Sequence, residues 1–112
     1  MKDFDEFAGN ILDVLFGRME AKHDEYATTD NKLEGIQVIS NLTDVTPETI
    51  FKVLIAKHCD ALLNKSKHID YETLLEKGID IMSYLILWMY YQHDVQWGIT
   101  DENETPDNGY FE

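Results

Sequence analysis

Apolar residues recur along this chain at steps of three and four, and polar segments interrupt them at three places. Phe4, Phe7, Ile11, Val14, Leu15, Met19 and Tyr26 form the first stripe, which predicts a helix over about 3–27. Thr28-Thr29-Asp30-Asn31 breaks it. A shorter helix over about 31–42 is expected next, with Leu33, Ile36, Ile39 and Leu42 inward. After a turn at 41–45, Thr46-Pro47-Glu48 is a start signal. Thr46 can cap, Pro47 loses nothing at the first helical position, and Glu48 suits the positive end of the dipole. The third helix, about 47–64, carries Ile50, Phe51, Leu54, Ile55, His58 and Leu62. Lys65-Ser66-Lys67-His68 reads as a polar linker, and Asp70 as the cap of a last helix over about 71–95. With no β-hairpin signal, the pattern predicts an all-α, four- to five-helix bundle.

The last helix differs from the others. Leu74, Leu75, Ile79, Met82, Leu85, Ile86 and Met89 share its sides with Ile81, Leu87, Trp88, Tyr90 and Tyr91, so it is apolar nearly all round. Such a helix is expected to be buried nearly all round. In a domain this small that predicts a homo-oligomer, most simply a two-fold dimer through residues 85–91. The alternative is a monomer whose other helices wrap the last one. Past residue 97 the composition changes. Asp101, Glu102, Glu104, Asp107 and Glu112 occur without a basic residue, so 98–112 reads as a flexible acidic tail to a single domain at 1–97.

Charge narrows the partners. Lys and Arg number 9 against 22 Asp and Glu, for a net charge of −13 with one arginine, Arg18. A nucleic-acid binder needs a basic footprint, and an anionic membrane repels this chain. The acidic surface suits solubility, a divalent cation or a basic protein partner. Cys59 is the only cysteine, which excludes an intrachain disulfide and fits a reducing cytoplasm. The acidic start, Met1-Lys2-Asp3-Phe4-Asp5-Glu6, is unlike a secretory leader, and the apolar run at 81–91 is too short to span a bilayer. A cytoplasmic location is therefore expected. The six glycines are scattered, so no phosphate-cradling loop or nucleophile elbow can be built.

Two pairs of acids are the best candidates for chemistry. Glu76 and Asp80 are four apart on the last helix, as are Glu20 and Asp24 on the first. Like charges at that spacing repel unless a cation neutralises them. Pairs on facing helices would offer Mg²⁺, or Mn²⁺, the oxygen ligands it prefers. For Glu20 and Asp24 the other reading is a solvated helix face. Asp80 stands among Ile79, Ile81 and Met82, where an unpaired carboxylate is costly. A basic strip (Lys52, Lys57, Lys65 and Lys67, with His58 and His68) could hold phosphates, or could be ordinary charge alternation. His58 taken alone reads as a partly buried, hydrogen-bonded core residue. Tyr26, Asn31 and Tyr84 could grip a base or sugar, or serve packing and turn formation.

The succession of these elements looks familiar. Glu25-Tyr26, Asp30-Asn31, Thr46-Pro47-Glu48 and Ala56-Lys57-His58 lead to Glu76-Lys77-Gly78-Ile79-Asp80-Ile81-Met82-Ser83-Tyr84. Over roughly residues 10–92 this order resembles small phage-borne proteins related to the MazG-like, all-α nucleoside triphosphate pyrophosphohydrolases. The resemblance implies an oligomeric bundle in which acids from two helices hold Mg²⁺ on a nucleoside triphosphate and a metal-bound water cuts between the α and β phosphates. Glu76 and Asp80 match the second acidic motif and would be catalytic. Glu20 and Asp24 (or Glu25) approximate the first, whose usual form is Glu-x-x-Glu, where this chain has His23 at the second acid. Lys57, His58, Asn31, Tyr26 and Tyr84 would then contact the nucleotide. Against this stands an expectation from another class: a non-enzymatic acidic protein that mimics DNA or assists assembly on a basic partner.

Overall fold

The computed structural model describes residues 3–64 and 68–97, with the side chains of Tyr26, Gln96 and Trp97 excepted. The expected linker lysines Lys65 and Lys67 and the expected tail at 98–112 lie outside the described residues. Four helices account for the described fold: α1 (Phe4–Tyr26), α2 (Glu34–Thr43), α3 (Pro47–Leu63) and α4 (Tyr71–Trp97). The all-α bundle expected from periodicity is what forms, and no strand occurs among the described residues. No helix there is long and apolar enough to cross a membrane.

Local chemistry sets each boundary. Asp3 caps α1 by accepting from the Glu6 N–H at 2.8 Å. Thr46 accepts from the Thr49 N–H at 3.3 Å to open α3, with Pro47 in the first turn. Asp70 accepts from the Thr73 N–H at 2.7 Å to open α4; the Thr73 hydroxyl, and then this N–H, hold its carboxyl below the ordinary carboxylate range. α2 begins differently. Asn31 Oδ1 accepts from the Leu33 N–H at 3.0 Å, making the turn before the helix. The Glu34 carboxylate reaches back to the Thr28 N–H (2.7 Å) and the Thr29 hydroxyl (2.6 Å), which depresses its own pKa. At the far end of α2, Asp44 adopts a left-handed conformation, with φ of 57°.

α3 and α4 make the most extensive pair, α2 rests on α3, and α1 rests on α4. Phe51 meets Trp88 and Tyr91, whereas His58 meets Tyr84, so α3 and α4 run antiparallel. The core gathers Leu33 and Ile36 of the α2 end with Ile50 and Phe51 of α3, roofed by Val45, Leu54, Leu87, Trp88 and Tyr91. Phe51 is wholly buried, 6.1 Å from the Trp88 ring and nearly parallel to it.

Two expectations about apolar residues require correction. The stripe on α1 does not face inward along its length: Leu15 is buried and Ile11 and Met19 are half-buried, but Phe4, Phe7 and Val14 are exposed. The reason is that α1 has little besides α4 to pack against. Within one chain α4 is not enclosed, so the alternative of a monomer whose other helices wrap it is not what forms. Ile79, Asp80 and Ser83 are buried, whereas Leu74, Leu85, Met89 and Tyr90 are exposed. Ile39 and Leu42 of α2 also face outward.

Candidate functional site: a buried carboxylate beside an open cleft

Asp80 sits where α1, α3 and α4 meet. It is 6% exposed, and a carboxylate at that depth is costly unless it is paired. Two come from α1: Arg18 Nη1 lies 3.2 Å and Lys22 Nζ 3.5 Å from Oδ1. Arg18 and Lys22 are four apart, which puts both cations on one face of the helix. From α3, His58 Nδ1 lies 3.7 Å from Oδ2, too far for a hydrogen bond, and no other group among the described residues bonds to that buried nitrogen. Burial pushes the His58 imidazole below its usual pKa; Asp80 works in the opposite direction, and Lys77, Lys57 and Lys22 reinforce the lowering. The ring stacks on Tyr84 at 5.7 Å. Ser83, one turn beyond Ile79, donates to the Ile79 carbonyl at 2.8 Å.

Next to this cluster, α1 and α2 stand apart on the α3–α4 pair and leave an open cleft of about 860 Å³. Phe16, Met19, Ile39, Leu87, Tyr84 and Tyr90 make most of its wall. Its charged lining is Lys22 and Lys32 against Glu20, with His23 beside them. Lys32 Nζ lies 2.9 Å from Glu20, which holds that carboxyl below its ordinary range. Lys22 is therefore shared: it lines the cleft and it neutralises Asp80.

The four carboxylates singled out for a cation are not brought together. Asp80 is engaged by Arg18 and Lys22, Glu20 is engaged by Lys32, and Asp24 and Glu76 are exposed. Among the described residues, no three His, Cys, Asp or Glu side chains are grouped so as to hold a metal ion. The donor set thus does not fit Mg²⁺ or Mn²⁺, which need several oxygens around one point. Of the nucleotide-contact candidates, Tyr84 lines the cleft and His58 lies behind it. Lys57 is exposed on α3. Asn31 is committed to its turn and donates to Gln37 Oε1 at 2.7 Å. Tyr26 has its side chain outside the described residues.

Sequence reasoning missed Arg18 and Lys22, although a signal was present. Arg18 stands four residues after Val14, where the stripe on α1 would place its next apolar residue. A cation in an apolar register, with a carboxylate in another, points to a buried pair. The fold defines an all-α helical bundle, and nothing narrower is established by comparison. No family profile, curated protein or solved structure matches the chain.

Proposed function

We propose that this chain is a nucleotide-binding protein of the MazG-like type that works as a homo-oligomer. The observation that carries the reading is the cleft. It offers aromatic walls at Tyr84 and Tyr90 and cationic groups at Lys22 and Lys32, in a chain that is otherwise strongly acidic. A base would lie against the rings, where stacking is tolerant of base identity. Phosphates would meet the two ammonium groups, helped by the half-buried His23. Asp80 would act as a positioning residue, holding Lys22 at the edge of the cleft. Turnover through a metal-bound water has no ligand set to run on among the described residues, so binding is the assigned function.

Calorimetric titration of the full chain with each deoxynucleoside triphosphate, with and without Mg²⁺, tests this. One site per chain with Kd of about 1–100 μM is expected for at least one of them. Tyr84→Ala should weaken it about tenfold, the loss of one stacked base. Absence of heat with every nucleotide under both conditions overturns the reading.

A second reading draws on a different observation. Exposed acids occur on α1, α3 and α4, among them Asp5, Glu6, Asp24, Glu48 and Glu72. This distribution suits docking on a basic protein, and salt-sensitive retention by such a partner without nucleotide binding would favour it.

A further inference from the structure

Two apolar faces lie uncovered among the described residues, and charge separates them. The first, on α1, exposes Phe4, Phe7 and Val14. Asp3, Asp5, Glu6 and Asp13 accompany it, with no base in α1 before Arg18. The second lies on α4. Tyr71, Leu74, Gly78, Ile81, Leu85 and Met89 follow at steps of three and four, so they share one side of that helix. Tyr71, Leu74, Leu85 and Met89 are exposed there, Met89 by 62%. At the helical repeat, the acids of α4 (Glu72, Glu76, Asp80 and Asp94) project away from this side. From Ile81 to Gln92 there is no Asp, Glu, Lys, Arg or His. Gly78 notches the face, because a Cβ at that position would meet nothing among the described residues within 4 Å.

We propose, resting on the homo-oligomeric part of the proposed function, that a second copy of this chain covers the α4 face, with the two α4 helices antiparallel across a two-fold axis. Area favours this occupant. The exposed parts of Tyr71, Leu74, Leu85 and Met89 come to roughly 450 Å² per chain, so two copies that also cover the half-buried Ile81 and Met82 reach about 1,000 Å² or more, where specific interfaces begin. Charge agrees. Two chains of −13 repel, and contact costs least where neither brings an acid. Pairing through the α1 face would bring two acidic segments together, whereas the α4 face sets apolar surface on apolar surface. An isologous contact also needs a self-complementary shape. An axis passing between Ile81 and Met82 lays the partner's Leu85 on Gly78 and the partner's Met89 on Leu74, each knob over a hole. A parallel pair would set Gly78 on Gly78 and leave the notch empty.

Sedimentation equilibrium of the full chain, with circular dichroism to follow helicity, decides it. The wild type is expected to be a dimer at about 100 μM. Leu85→Glu with Met89→Glu should weaken the dimer at least about tenfold with helicity unchanged, since both side chains are exposed within their own chain. Gly78→Leu puts a better helix former where its own chain has room, yet it should weaken the dimer by filling the notch. Adding Leu85→Ala should then restore affinity by making space opposite. If the glutamates cost helicity, the Gly78 and Leu85 pair decides alone. A wild type that stays monomeric up to about 100 μM overturns both this face and the oligomeric reading. A dimer indifferent to the Leu85 and Met89 changes overturns this face alone. A dimer weakened by Gly78→Leu and not restored by Leu85→Ala overturns the antiparallel register. Nucleotide binding stands or falls separately by its own titration, because Tyr84 and Tyr90 lie off this face of α4.

Discussion

The two ends of this molecule are held together by different forces. At one, Leu33, Ile36, Ile50 and Phe51 form an apolar core from α2 and α3, closed by Trp88 and Tyr91 of α4. At the other, α1 is attached to α4 through one buried leucine, Leu15, and a cluster of charges around Asp80. The apolar end is self-sufficient, because every side chain in it gains by leaving water. The charged end is conditional. Asp80 stays folded away only while cations from α1 face it, and those cations are half in solvent, with Arg18 36% and Lys22 50% exposed. A helix attached this way can shift on its neighbours without unfolding them, which suits an element that walls a cleft.

The largest effect should come from the apolar end. Phe51→Ala removes a fully buried ring and its contacts with Trp88 and Tyr91. A loss of about 3–5 kcal/mol in urea unfolding is expected, with α2, α3 and α4 failing together. If α2 loses protection while the α3–α4 pair keeps it, the self-sufficient end is two units and the comparison breaks.

Next in size is the charged end. Arg18→Met with Lys22→Met leaves the Asp80 carboxylate buried beside a neutral imidazole. Stranding a buried charge costs about 3 kcal/mol or more, although the half-exposed cations place this case at the low end. Hydrogen exchange should show α1 amides opening while α3 and α4 remain protected. Adding Asp80→Leu removes the stranded charge and should recover most of the loss. Equal loss of protection in all four helices would show that α1 is integral to the core.

The helices themselves were legible because their signals are local. Asp3, Thr46 and Asp70 announce their helices by cap chemistry, and the structure places the helix starts at Phe4, Pro47 and Tyr71. The interior of the fold was harder to read. Phe4, Val14 and Leu42 have the right period to be buried and are exposed, since periodicity shows which face is apolar and not whether a neighbour covers it. Asp80 was recognisable as a residue that needs compensation. A shared cation was expected from Glu76 four residues earlier, whereas the compensation comes from Arg18 and Lys22, 62 and 58 residues away in sequence. A pairing at that range depends on how α1 lies across α4, which no local pattern records.

The smallest effect distinguishes the two ends by pH. His58 is buried with its Nδ1 unbonded, and burial sets its pKa below the usual value near 6.5. The folded chain therefore takes up this proton less readily than the unfolded chain. As pH falls below about 6.5 the unfolded state binds it first, so stability declines through that window. The decline stops once pH passes below the folded pKa, because the imidazolium then forms with Asp80 Oδ2 nearby to receive it. Glu20, Glu34 and Asp70 have lowered pKa values, so their contributions fade only below the ordinary carboxylate range, near 4.5 for the glutamates. Unfolding measured between pH 7 and 5.5 is thus expected to show a decline that His58→Phe flattens. A decline of the same slope in His58→Phe would move its origin elsewhere. A rise in wild-type stability over that interval would mean that Asp80 outweighs burial, and the carboxylate would then hold α1 and α3 alike.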